Sequence, residues 1–95
     1  MDIIFEWDTD KAESNLRKHG IRFEEAALVF DDPLAVSTQD RIEGGERRWK
    51  TIGMIHGYLI VLVAHTVWFD DKSEIVRIIS ARPADKTERK NYEHS

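Results

Sequence analysis

The alternation of apolar and polar positions along this chain changes rhythm several times, and each change marks an element. Ile3-Ile4-Phe5-Glu6-Trp7 is short, β-branched and aromatic, which predicts a first strand ending at Asp8, an acceptable helix N-cap. A helix is expected over Thr9–His19, with Ala12 and Leu16 on one stripe. Asp10 and Glu13 suit its positive end, Arg17, Lys18 and His19 its negative end, and Gly20 a left-handed cap. Phe23, Ala26, Ala27 and Phe30 fall at i, i+3, i+4 and i+7, the stripe of a second short helix that Asp31-Asp32-Pro33 stops.

Beyond the proline the period shortens. Leu34–Thr38 reads as a short strand and Gln39–Gly45 as a polar loop with two glycines. Arg48–Ile55 alternates loosely, His56-Gly57 supplies a turn, and Tyr58–Trp68 is almost continuously apolar, as expected of a strand covered on both faces. Asp70–Ser73 makes the next turn and Glu74–Ala81 the next strand, which Arg82-Pro83 ends, so these three strands form an antiparallel meander. Asp85–Glu93 is polar and helix-forming, with Ala84 and Tyr92 as its apolar side, and is expected to dock loosely. The predicted order is β-α-α-β-β-β-β-α, an α+β fold with an antiparallel sheet of four to five strands, in one domain over residues 1–95.

Composition narrows the function. The absence of cysteine removes disulfides, thiolate metal sites and cysteine nucleophiles, and suits a reducing cytoplasm. The first residues lack the pattern of a secretory signal, and the longest apolar stretch, Tyr58–Ala64, is about a third of the ~20 residues a membrane helix needs, so a cytoplasmic protein without membrane contact is expected. The formal charge of −4 hides an asymmetry: residues 1–46 hold 12 acidic against 5 basic side chains, residues 47–95 hold 6 against 9. The second half can therefore present a basic face to a polyanion.

Three cationic clusters carry the candidate chemistry. His19 in Lys18-His19-Gly20 titrates near neutrality and can move a proton, although Lys-His-Gly is also good capping chemistry. Arg48, beside Trp49, can grip a phosphate with two parallel bonds; strand alternation sends Arg47 to the opposite face. Arg82 is fixed between a strand and Pro83, whereas Arg77, inside the strand, either reaches an edge, faces the same cleft or, as favoured, pairs with a carboxylate such as Glu6 or Glu25. His65 reads as a satisfied core histidine, and His56 and His94 as solvated ones. The three tryptophans and Tyr92 can each stack on an unpaired base; Trp7 and Trp49 read as core, and Tyr92 is the better candidate. No H-E-x-x-H or similar spacing is present, so neither metal nor other cofactor is expected.

Phe5-Glu6-Trp7-Asp8, Lys18-His19-Gly20, Phe23-Glu24-Glu25-Ala26, Arg48-Trp49 with Ile52-Gly53, Ile78-Ile79-Ser80-Ala81-Arg82, and Glu88-Arg89 with Tyr92 resemble, in that order, the BrnT toxins of bacterial type II toxin-antitoxin systems. The resemblance implies a RelE-like fold, metal-independent RNA cleavage that halts translation, and an RNA substrate that relatives with this fold take on the ribosome. It also implies neutralisation by a BrnA-type ribbon-helix-helix antitoxin, through which alone operator DNA is bound. Carried over, it assigns catalysis to Lys18, His19, Arg48 and Arg82; Arg47, where the family more often has an acidic residue, and Tyr92 are added as candidate substrate contacts. Two rival readings are a catalytically inactive domain that docks an antitoxin and co-represses its operon, and a gyrase-directed toxin.

Overall fold

The computed structural model describes residues 2–94. Five strands form one sheet in the order β1-β5-β4-β3-β2: β1 Asp2–Glu6, β2 Val36–Glu43, β3 Glu46–Ile55, β4 Leu59–Phe69 and β5 Ser73–Pro83. Helix α1 spans Thr9–His19, α2 Phe23–Ala26 and α3 Lys86–Glu93. The expected element order holds, but the sheet is mixed and not wholly antiparallel, because β1 pairs with β5 in parallel from Asp2↔Ser73 to Glu6↔Arg77. No tight turn joins β1 to its neighbour, so nothing local sets its direction.

That direction decides where α1 goes. Asp8 caps the helix by accepting from the backbone N–H groups of Asp10 and Lys11, and Gly20 ends it at φ 73°. β1 stops beside Arg77, which leaves the outer edge of β5 without a strand from there on. Asn15 of α1 takes that place: its amide donates to the carbonyl of Ala81 at 2.8 Å and accepts from the Ala81 N–H at 3.0 Å, and also donates to the Ile21 carbonyl at 3.1 Å. Asn15 is buried, so it completes the ladder as a strand would.

The second helix is shorter than its apolar stripe suggests. After Phe23–Ala26 the chain tightens into a 3-10 helix, Ala27–Asp31. This turn seats Val29 directly on Gly53 of β3, where an added Cβ would lie 2.8 Å from Val29 Cγ1 and 3.1 Å from its carbonyl oxygen. The core gathers on this helix side of the sheet: Phe23, Ala26 and Val29 pack on Ile55, Val61, Val63, Val76, Ile78 and Ala81.

Two further elements depart from the sequence reading. β2 runs on through the stretch read as a loop to Glu43, with a bulge between Gln39 and Ile42. Gly44 and Gly45, at φ 59° and 80°, make the two-residue turn that folds this polar ribbon onto β3. Helix α3 is tethered and not loosely docked. Tyr92 is buried with Ile60 and Ala84, and its hydroxyl donates to Asp32 Oδ2 at 2.6 Å. The same oxygen accepts from the Met54 N–H at 2.8 Å, closing the edge of β3 where β2 has not yet begun. The Asp32 bond holds the Tyr92 phenol up at about 12.

Replacing Asn15 by alanine leaves the Ala81 N–H and C=O buried without partners, so Asn15→Ala should lose ~3 kcal/mol in urea denaturation. Tyr92→Phe, which removes one hydroxyl from a partly solvated network, should lose ~1 kcal/mol.

Candidate active site

Because α1, α2 and the 3-10 turn pack on one side of the sheet, the other face is covered, among the described residues, only where α3 lies over Ile52, Met54 and Ile60. Cross-strand partners share a face, so the register lists what the open face carries. One rank across the sheet holds Arg48, Thr66, Arg77 and Glu6, the next Lys50, Ala64 and Ser80, and the next Ile52, Leu62 and Arg82. A floor of small side chains, Ala64, Thr66 and Ser80, is thus ringed by four cationic residues. From strand spacing and rise, Arg48 and Arg82 lie roughly 10 Å apart across the sheet and 13 Å along it.

The cations differ in how they are held. Arg82 is fixed by Glu88 of α3, which accepts from Nη1 at 2.7 Å and Nη2 at 2.9 Å, and Nη1 also donates to the Pro83 carbonyl. Those hydrogen bonds raise the guanidinium's pKa and lower that of Glu88, which in turn accepts from the Asp85 N–H and so helps start α3. Lys50 is 3.8 Å from Asp40. Among the described residues Arg48 has only a long contact, Nε to Glu43 at 3.9 Å, and that buried Nε has no hydrogen-bond partner. The buried hydroxyl of Thr66, its cross-strand neighbour, has none either. Arg77, expected to be paired, is exposed, and among the described residues it forms no ion pair even with its register partner Glu6.

The remaining candidates sit around or away from this face. His19 lies one helical turn beyond Asn15, the residue through which α1 bonds Ala81 of β5. His19 is half-buried and Lys18 exposed; among the described residues neither forms an ion pair. Arg47 points to the opposite face. Tyr92 is buried and committed to Asp32, which corrects the expectation that it stacks on a base. His56, at φ 55° in the β3–β4 turn, is not simply solvated: its Nε2 lies 3.0 Å from Glu25 Oε2, and this hydrogen bond lowers the carboxyl's pKa. The residue types alone do not single out Thr66 or Lys50 and rank Trp68 behind Tyr92, although strict alternation along β4 from buried Val63 sets Thr66 and Trp68 on the face opposite His65.

The larger concavity, about 650 Å³, lies on the helix side, lined by Phe30, Trp49, His65, Val67 and Phe69, with Arg47 and Glu74 among its polar residues. Its floor is a satisfied chain. The Thr66 carbonyl can only accept, so His65 Nδ1 carries the proton toward it at 3.3 Å, and Nε2 accepts from the Thr51 hydroxyl at 2.7 Å. Thr51 in turn accepts from Ser37 at 2.7 Å. Burial pushes His65 down to about 4, so the ring is neutral at pH 7 with both nitrogens engaged. The two buried donors without a hydrogen-bond partner among the described residues, Arg48 Nε and the Thr66 hydroxyl, and the exposed Arg77 lie on the other face, which is therefore the candidate active site. Among the described residues no three histidine or carboxylate side chains gather as a metal cage.

The family model of the ribonuclease toxin BrnT of type II toxin-antitoxin systems matches residues 7–88. The crystal structure of the Brucella abortus ribonuclease toxin BrnT superposes with a TM-score of 0.60 at 29% identity, covering 90% of this chain and 100% of that one. Comparison with curated proteins finds no significant relative.

His65 titrates at about 4 folded against 6.5 unfolded, so between these values the unfolded chain binds the extra proton. Its contribution is fully present above pH 6.5 and falls away by ~3 kcal/mol as pH drops toward 4. Urea midpoints across that window should decline in the wild type and decline less in His65→Gln.

Proposed function

Starting from a chain that belongs to the BrnT family of ribonuclease toxins of type II toxin-antitoxin systems, we propose that it is an endoribonuclease that cleaves RNA without a metal, halts translation and is neutralised by a BrnA-type antitoxin. The observation that carries this reading is the open sheet face with four cationic residues around a floor of small side chains, where the Nε of Arg48 and the hydroxyl of Thr66 are buried without partners. A buried polar group left unpaired costs about 1–3 kcal/mol, which a phosphate oxygen on Arg48 would recover.

In the proposed reaction the substrate's own 2′-hydroxyl attacks the adjacent phosphorus. The O2′–P bond forms as the P–O5′ bond breaks, giving a 2′,3′-cyclic phosphate and a free 5′-hydroxyl. One proton leaves the 2′-oxygen and one reaches the departing 5′-oxygen; His19 is assigned one of these transfers. Arg48 and Arg82 stabilise charge on the non-bridging oxygens, and Lys18 adds positive potential. Arg82 reaches a phosphate by exchanging it against Glu88. With Arg47 on the far side and Tyr92 buried, neither has a part in this reaction.

Purified protein should cleave RNA, free or on ribosomes, in the presence of EDTA. Arg48→Ala should lower the rate by ~10²–10³ at an unchanged melting temperature, as loss of one transition-state donor does. No cleavage by a folded protein that still binds its antitoxin would instead identify a catalytically silent docking module.

A further inference from the structure

Of the three tryptophans, Trp7 packs edge-on against Phe23 and Trp49 faces His65 on the helix side, where it lines the large cavity. Trp68 is different. Near the end of β4, its register with Ile75 places it on the open face, and it is 51% exposed. Ile75 beneath it is buried, and Ile4, next across the sheet, is 46% exposed. A large aromatic surface thus stands bare one rank from Arg48, Thr66 and Arg77. Successive ranks are roughly 7 Å apart, close to the reach between the base and the phosphate of one extended nucleotide.

We propose that Trp68 is a base-stacking platform for single-stranded RNA, holding a nucleobase while Arg77, with Arg48 and the Thr66 hydroxyl, holds the phosphate beside it. The inference rests on the ribonuclease reading and names where its substrate lies. Three observations carry it. Arg77 is an exposed guanidinium with no ion pair among the described residues. Thr66, 4% exposed, has an unpartnered hydroxyl in the same rank. The apolar area stops at that rank and gives way to cations, a pairing that suits a π-face joined to a polyanion better than the apolar stripe of a partner helix. Stacking also explains how an acidic chain can hold RNA, since that part of the affinity needs no net charge.

The test uses a short 2′-O-methyl oligoribonucleotide, which cannot supply the attacking hydroxyl, so binding is read apart from cleavage. Trp7 and Trp49 lie on the covered side, so the quenching of tryptophan fluorescence on binding should come from Trp68. Trp68→Phe should keep affinity close to wild type while abolishing the quenching. Trp68→Ala should weaken binding by roughly 5- to 150-fold, the range for one lost base stack. Arg77→Ala should weaken it too and reduce the salt slope by about one.

Unchanged affinity in a folded Trp68→Ala protein overturns the proposal, as does loss of antitoxin binding alone, which would give this patch to a protein partner. Wild type that cleaves RNA but shows no quenching by the oligonucleotide overturns it while leaving the ribonuclease reading intact. Wild type that neither binds nor cleaves removes both.

Discussion

The paired hydrogen bonds between the Asn15 amide and the backbone of Ala81 hold this architecture in its working arrangement. They fix α1 at the edge of β5, as a substitute for the strand that ends at Glu6, and so keep the helix from lying across the sheet. With α2 and the 3-10 turn pressed on the other face by the close approach of Val29 to Gly53, all the large apolar packing falls on one side. The cationic side is left open as a result. Asp32 does for β3 what Asn15 does for β5: a side chain finishes a ladder where strand lengths do not match, and Tyr92 then fastens α3 to the same carboxylate.

Much of this was legible in the chain because the signals were local. The Asp8 cap and Gly20 stop of α1, the turn at His56-Gly57 and the buried run of β4 each follow from residues within a few positions of one another. What escaped was long-range or lacked a hydrophobic trace. The parallel direction of β1 depends on a partner some seventy residues away. The second half of β2 is polar because it is a solvent-facing edge ribbon, and only Gly44-Gly45 hinted that it doubles back.

The site was legible residue by residue but not as a surface. Alternation correctly separated Arg47 from Arg48, since that is a property of any strand. Arg77 was expected to find a carboxylate because charges inside strands usually do, yet its strand faces open surface there and the charge stays solvated. His65, by contrast, is the satisfied core histidine its surroundings suggested, neutral because burial outweighs its hydrogen bonds. Tyr92 looked available only because a short polar helix gives no sign in sequence of what its one aromatic residue will meet. The excess acidity also has a place: Asp8, Glu25, Asp32 and Glu88 are spent on caps, turns and internal bonds.

The grip of Arg82 on Glu88 supplies the free protein with its own counterion. Any incoming anion gains only the difference between the bonds it makes to that guanidinium and the two it displaces, and it leaves the Glu88 carboxylate with the Asp85 N–H but without its guanidinium. Such a built-in competitor raises the threshold that any anion must pass to reach this guanidinium.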